Sequence, residues 1–432
     1  MKRSIVSQVP FLFVLAAGLA GGLHAQVNRW AVSADMQTAR AEACSTLLAD
    51  GRLLVAGGIG AAGALNTAEM YGADGTFHSA GHMQTARVAA ACVTLEDGRV
   101  LVSGGTDSAG KALTSAEIFD PSNNSWRNAG GMRNARSGHQ MALTSWGSVI
   151  VAGGERSGSV EIYIPGEGSF QSIGRLSSVR LKGAIAALPG RRVAFLGGSN
   201  GAGVSTTIDI YDANSNTLKP GGTMLQGRSE FAAATLVDGR VWISGGRDST
   251  GNTLSSTEIF DPAQGASTAG PDLPESRAGH SAYLLPHNNG VLLVGGRGES
   301  GPAASTLLYT SWNGNLTALP PMETARHQMT ASPVGLGALV AAGGRNDGGI
   351  LAGSELFRFP TIQPDRTLIQ PGDTINFLGT GWKPGDRVAL QVMALPADDR
   401  GVLFTGSGIV DRSGRLSTGG FTVPRGHSGG LQ

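Results

Sequence analysis

Arginine and carboxylate recur in step along this 432-residue chain. Arg40, Arg87, Arg136, Arg180, Arg228, Arg277 and Arg326 follow one another about every 48 residues. Six of them are followed, 25 to 30 residues on, by an acid: Glu69, Glu117, Glu161, Asp209, Glu258 and Glu355. Opposite Arg277 stands Leu307 instead. A guanidinium fork matches a carboxylate or a sulfate, so such groups are able to hold anions. One ligand has no use for seven copies of one group, however. The repeated set is expected to hold repeating units together, through carbonyls and the paired acids.

Chemistry particular to one place belongs where the repeat is broken. Arg247, Arg297 and Arg345 each directly follow a Gly-Gly pair, in three consecutive units, and Arg156 stands one residue further on in the third unit. The first, second and fourth units carry Ile59, Thr106 and Ser199 at that place. Three guanidiniums in one sector would form a receptor for a carboxylate or sulfate ligand. Asp248, Glu299 and Asp347, one or two residues further along, give the other reading, in which each charge is neutralised locally.

His139 and His280 lie in Arg-x-Gly-His segments and are expected to be structural, while His78 and His82 are expected near the surface. No Cys/His cluster has zinc spacing, so no metal and no cofactor is expected. Cys44 and Cys92, the two cysteines, fall on equivalent strands of neighbouring units with a one-residue offset. Successive strand side chains point to opposite faces, so the thiols either meet across the unit boundary or point apart. A disulfide and two buried free thiols both remain open.

Composition narrows the class. With 67 Gly, 15% charged residues and a net charge of +1, the chain reads as a turn-rich β protein with no basic tract for nucleic acid. Lys2 and Arg3 precede an apolar run from Val9 to Gly22, followed by Leu23-His24-Ala25. That is the grammar of a secretory leader over residues 1–25, too short in its apolar part for the ~20 residues of a membrane span. Export to a secreted, cell-surface or periplasmic location is expected, with no transmembrane segment after the leader is removed.

The elements that must position these groups are set by a ruler. Gly57-Gly58, Gly104-Gly105, Gly153-Gly154, Gly197-Gly198, Gly245-Gly246, Gly295-Gly296 and Gly343-Gly344 mark seven units. The repeated Arg stands 17 residues before the pair, 18 in the sixth unit, where Pro286-His287-Asn288-Asn289 adds a residue. Met or Leu stands four residues before each Arg, and a bulky residue such as Trp30 or Trp126 six before that. In the second unit Ala90–Leu95 and Val100–Ser103 read as strands around the hairpin turn Asp97-Gly98. Ser115–Phe119 and Ser125–Asn128 complete four strands.

The Gly-Gly pair, the Glu-x-Tyr/Phe that follows, the distal Trp and the Met-x-x-x-Arg approach together resemble the kelch repeat family over residues 27–360. The resemblance implies an all-β fold, a seven-bladed kelch β-propeller with one four-stranded blade per repeat. The seventh unit lacks a fourth strand of its own, while a spare one, Asn28–Val32 with Trp30, precedes the first. This N-terminal strand is therefore expected to close blade seven, which also removes exposed sheet edges. The domains expected are a leader over 1–25, a propeller over 26–360 and a β-sandwich over 361–432. In the last, Pro371-Gly372-Asp373 and Pro384-Gly385-Asp386 turns and alternating strands are similar to bacterial Ig-like modules. At 72 residues it falls short of the ~100 of a complete sandwich and is expected to be truncated.

The resemblance also implies function. Kelch propellers bind protein or glycan partners through loops, and that is the expected role outside the cytoplasm. The alternative is a carbohydrate-active enzyme, a galactose-oxidase-like copper oxidase or a sugar mutarotase or epimerase. The oxidases place a β-sandwich after the propeller, as here, and hold copper with Tyr and His. No Tyr-His dipeptide occurs, and four of the five Tyr fall at the repeated aromatic position.

Overall fold

In each unit a short apolar run, a tight turn and a second apolar run make a hairpin, and its sequence leaves no polar face on the second strand. Leu53–Ala56, Val100–Ser103, Val149–Ala152 and Val241–Ser244 are buried at every position. A strand buried on both faces must lie between two other layers. The computed structural model supplies them. It describes residues 13–16, 28–364 other than 145, 286–289 and 335–336, and then 374–380, 382, 385, 387–393, 402–412 and 415–422. The leader, apart from Phe13–Ala16, lies outside the described residues, as do the turns expected at 286–289 and 371–373.

The described elements are all β-strands. The first unit forms a sheet from Cys44–Leu47, Leu53–Ala56, Thr67–Tyr71 and Phe77–His82, in that order. The second follows the same order with Ala91–Thr94, Val100–Ser103, Leu113–Asp120 and Ser125–Arg136. Its last two strands run further than the sequence suggests, through bulges between Leu113, Ser115 and Glu117. Units four and five each make the same four strands but join at their outer edges into one eight-stranded sheet. The junction is a parallel pairing of Thr223 with Ala266. Gly222, at φ +144, allows it, since a Cβ there would meet Gly265 O at 2.2 Å.

Hydrophobic clusters sit between consecutive sheets. Leu54, Met70 and Met83 of unit one pack against Val100, Val102 and Phe119 of unit two. Leu53, Val55 and Tyr71 of unit one pack against Val334 and Val340 of unit seven, so the series returns to its start. Face-to-face sheets around a closed circuit are the arrangement of a β-propeller. Arg29–Val32 pairs antiparallel with Ser354–Arg358, Trp30 opposite Phe357, and is the outer strand of the last sheet. The Trp30 indole N–H donates to Thr306 Oγ1 at 2.8 Å on the preceding sheet, and Trp126 Nε1 to Ala80 O at 2.7 Å.

Beyond the ring, Thr361–Pro364, Thr374–Thr380 and Leu416–Thr422 form one three-stranded sheet. Phe13–Ala16, Arg387–Met393 and Val402–Ile409 form another. Ile375 and Phe377 are buried and alternate with exposed Asn376 and Leu378, a period-two pattern of a half-covered sheet.

Candidate functional site

The repeated arginines are buried nodes. Arg40 Nη1 donates to Gly57 O and Thr67 O, both at 2.9 Å, and its Nη2 meets Glu69 Oε1 at 2.6 Å. Glu69 is held in turn by the backbone N–H of Gln37 and Thr38. The arrangement recurs for Arg87 with Glu117, Arg136 with Glu161, Arg180 with Asp209, Arg228 with Glu258 and Arg326 with Glu355. The second glycine ties each unit to the next: Gly58 N–H donates to Arg87 O, and Gly344 N–H to Arg40 O, both at 2.8 Å. Neither glycine of a pair tolerates a side chain. Gly57 lies at φ +66 and Gly58 at φ +93, and a Cβ on either would stand 2.6 Å from a carbonyl oxygen.

Unit six departs twice at this node. Leu307 replaces the acid, and Pro274 replaces a residue whose N–H would have donated to it. Arg277 keeps Gly295 O at 3.1 Å and lies 3.7 Å from exposed Glu275. Acceptor and donor have been lost together, which leaves no orphan from that contact.

Two residues past each Arg, the backbone turns left-handed. Glu42, Ala89, Gly138, Lys182, Glu230, Gly279 and Gln328 all have φ between +52 and +62. They hand hydrogen bonds around the axis: Ala89 N–H to Glu42 O, Gly138 to Ala89, Glu230 to Lys182, Gly279 to Glu230, Gln328 to Gly279 and Glu42 to Gln328, at 2.8 to 3.3 Å. This run of backbone bonds, interrupted between Gly138 and Lys182, circles the axis on the Gly-Gly face. The residues after the glycines flank it, because Ala41 bridges Ile59, Ser229 bridges Arg247, Ala278 bridges Arg297 and His327 bridges Arg345.

The sequence-predicted sector comes together here. Arg247, Arg297, Arg345 and Asp347 all act electrostatically on half-buried His327, whose imidazole is pushed below its ordinary range, by burial first and then by Arg297 and Arg345. The three guanidiniums are not bare, and their partners differ from those expected. Arg297 Nη1 reaches Asp347 Oδ1 of the next unit at 2.8 Å. Arg247 Nε reaches Glu230 at 2.9 Å, and Glu230 also takes Lys182. Arg345 Nη2 reaches Glu42, across the closure of the ring, at 3.3 Å, and its Nε is buried without a partner. Asp248 is used by its own turn, accepting from Thr250 and Asn252 N–H, which is why it does not meet Arg247. Glu299 is exposed in the turn after Arg297–Gly298. Arg156 is exposed and lies over Gly201 of unit four, outside the sector.

Sequence reasoning missed Glu42, Lys182, Glu230 and Gln328. They share one column of the repeat, and the variation within that column was the available signal.

His139 and His280 are buried, with Nε2 2.9 Å from Ser103 Oγ and Ser244 Oγ of the preceding units. Burial, then neighbouring arginines, push both imidazoles down to about 3. Cys44 and Cys92 are free and meet across the boundary of units one and two. The two sheets touch there through packing and not through a backbone ladder, and the thiols meet as a hydrogen-bonded pair. Burial and then that contact push Cys92 well up.

A Kelch motif model matches residues 86–133 and 229–274, within units two to three and five to six. The chain is 26% identical to mouse Kelch-like protein 35 over 179 residues, 40% of this chain and 30% of that protein. It thus spans about a third of the length of that curated relative. Among solved structures it resembles a fungal alcohol oxidase of the AA5 family in complex with copper, at TM-score 0.63, 16% identity and 94% coverage of both chains. It also resembles YjhT, at TM-score 0.53 and 14% identity, covering 66% of this chain and 98% of that one. These findings support a kelch-repeat β-propeller.

The copper of the oxidase raises the question of donors here. Tyr71, Tyr163, Tyr211 and Tyr309 are buried on third strands of four different sheets, and Tyr283 packs among the apolar side chains of units six and seven. Among the described residues, no three His, Cys, Asp or Glu side chains gather as metal ligands. The tyrosines and histidines among the described residues are not gathered into a copper site.

Proposed function

We propose that this chain is an exported seven-bladed kelch propeller, followed by an Ig-like β domain, that binds a partner protein through the Gly-Gly face of units five to seven. The observation that carries this reading is a break in an otherwise polar column. The residue after the repeated Met or Leu is Gln37, Gln84, Arg133, Ser177 and Glu323 in five units, but Leu225 and Pro274 in units five and six. Leu225 is 61% exposed, on the same face as Arg247 and Arg297. An exposed aliphatic anchor beside guanidiniums that are already paired suits a protein surface of mixed charge better than a free carboxylate or sulfate. It replaces the simple anion receptor as the reading of this sector. Nothing in the geometry favours oxidase or mutarotase chemistry over binding.

The test is affinity capture of exported proteins on the immobilised chain, followed by direct titration of whatever is retained. A Leu225→Asp, Arg297→Glu variant should lose the partner by about tenfold or more. A Lys219→Glu control on the outer strand of unit four should keep it. Equal binding by both variants would remove this sector from consideration.

A further inference from the structure

The opposite face, where the first two strands of each unit turn, carries a second departure from the repeat. We propose that it is a binding site for a neutral glycan, with one pyranose ring stacked on Trp146. In units one, two and five this turn is Asp-Gly-Arg, and the acid binds its own arginine: Asp50 with Arg52, Asp97 with Arg99, Asp238 with Arg240. In unit three both partners are replaced, by Trp146 and Ser148. The indole is 64% exposed at a place where the repeat has no use for an aromatic. It is also braced. Arg191, from the turn of unit four, sets its guanidinium carbon 4.3 Å from the ring centroid. Arg191 adopts φ +63, a conformation that costs a non-glycine residue energy, to stand there. Gly147, next to the ring, lies at φ +73, a conformation that favours glycine, and the Glu96 carboxylate comes within 2.7 Å of where its Cβ would be.

One ring face is covered by the cation and the ring is otherwise open. The face of an aromatic ring is electron-rich and accepts the polarised C–H groups along one side of a pyranose. The Glu96 carboxylate beside Gly147 is an acceptor for hydroxyl groups, and the Arg191 guanidinium over the covered face is a donor. On the same face, beginning at Asp97 beside Glu96, is a depression of about 300 Å³ lined by Asp50, Asp97, Arg99 and Asp120. Asp50 and Asp97 are bound by arginines, and Asp120 accepts from the neutral Ser122 hydroxyl, so the depression carries a net negative charge. A net negative lining repels sulfates and uronates and leaves carboxylate oxygens to accept from neutral hydroxyls. The proposal is independent of the protein-binding face.

The full chain would be titrated calorimetrically with neutral hexasaccharides of glucose, mannose, galactose and N-acetylglucosamine, and with a sulfated oligosaccharide. At least one neutral ligand should bind. Trp146→Ala should weaken it about tenfold or more, and Trp146→Phe should restore most of the loss. The melting temperature should not move, because the indole is on the surface. The Leu225→Asp, Arg297→Glu variant should bind the glycan as the parent does. Binding of none of the neutral ligands, binding only of the sulfated one, or equal binding by Trp146→Ala would each overturn the proposal.

Discussion

A buried guanidinium persists only if its partners are in place, and the unit-two node shows what its loss would cost. Glu117 neutralises Arg87 and takes two backbone N–H groups, Gln84 and Thr85. Glu117→Leu is expected to cost about 3–5 kcal/mol in equilibrium unfolding, since it strands a charge and two donors. At position 307 leucine is native, and there Pro274 removes one of the two donors while Glu275 lies 3.7 Å from the Arg277 guanidinium. The two buried imidazoles set a pH dependence. Their folded values near 3 lie below the ordinary ~6.5, so the unfolded chain binds more protons as pH falls. Stability should be full above pH ~6.5 and decline from there toward 3. At pH ~5 each histidine should cost about 2 kcal/mol. A His139→Gln, His280→Gln variant should flatten chemical-denaturation midpoints between pH ~6 and ~4.5, above the range of most carboxylates. At this scale the sequence made the repeated arginines legible, because their spacing is fixed by strand length. The partners of Arg247 and Arg345 were not legible: Glu230 reaches Arg247 only through the bridge that Ser229 makes within unit five, and Glu42 reaches Arg345 only when the ring has closed.

The outer strand at Trp30 is the element on which closure depends. Its spacing from Met36 matched the other units, and that spacing was enough to place it beside Ser354–Arg358. Trp30→Ala should cost about 3–5 kcal/mol, through the cavity against Phe357 and the loss of the bond to Thr306. Deleting residues 26–33 should replace one cooperative transition by broader melting in calorimetry, and a single unchanged transition would show that the strand is dispensable. The joined sheet of units four and five was not foreseen. Its cause is local, three glycines at Gly221, Gly222 and Gly265, whose lack of side chains lets two outer strands touch. A pattern of apolar periodicity carries no information about such contacts.

For the whole molecule, the all-β class and a propeller of kelch repeats could be read from the Gly-Gly ruler. The run of left-handed residues around the axis could not, since a column of Glu, Ala, Gly, Lys, Glu, Gly and Gln shares a backbone conformation and no side-chain property. The leader leads to a direct expectation: expressed in an exporting host, the mature protein should begin at Gln26, as read by mass spectrometry of its N-terminal peptide. A mature chain that retains Met1 would count against export.

Closure has a mechanical side. Arg29 is paired with Arg358, so the first strand of the ring and the last leave it from the same end of one ladder. Tension applied through the two ends of the ring would peel those strands apart bond by bond and not shear them along their length. The ring resists heat as a closed object, yet under load it has a zipper, and the first bonds to part are those that hold residues 29–32 in place.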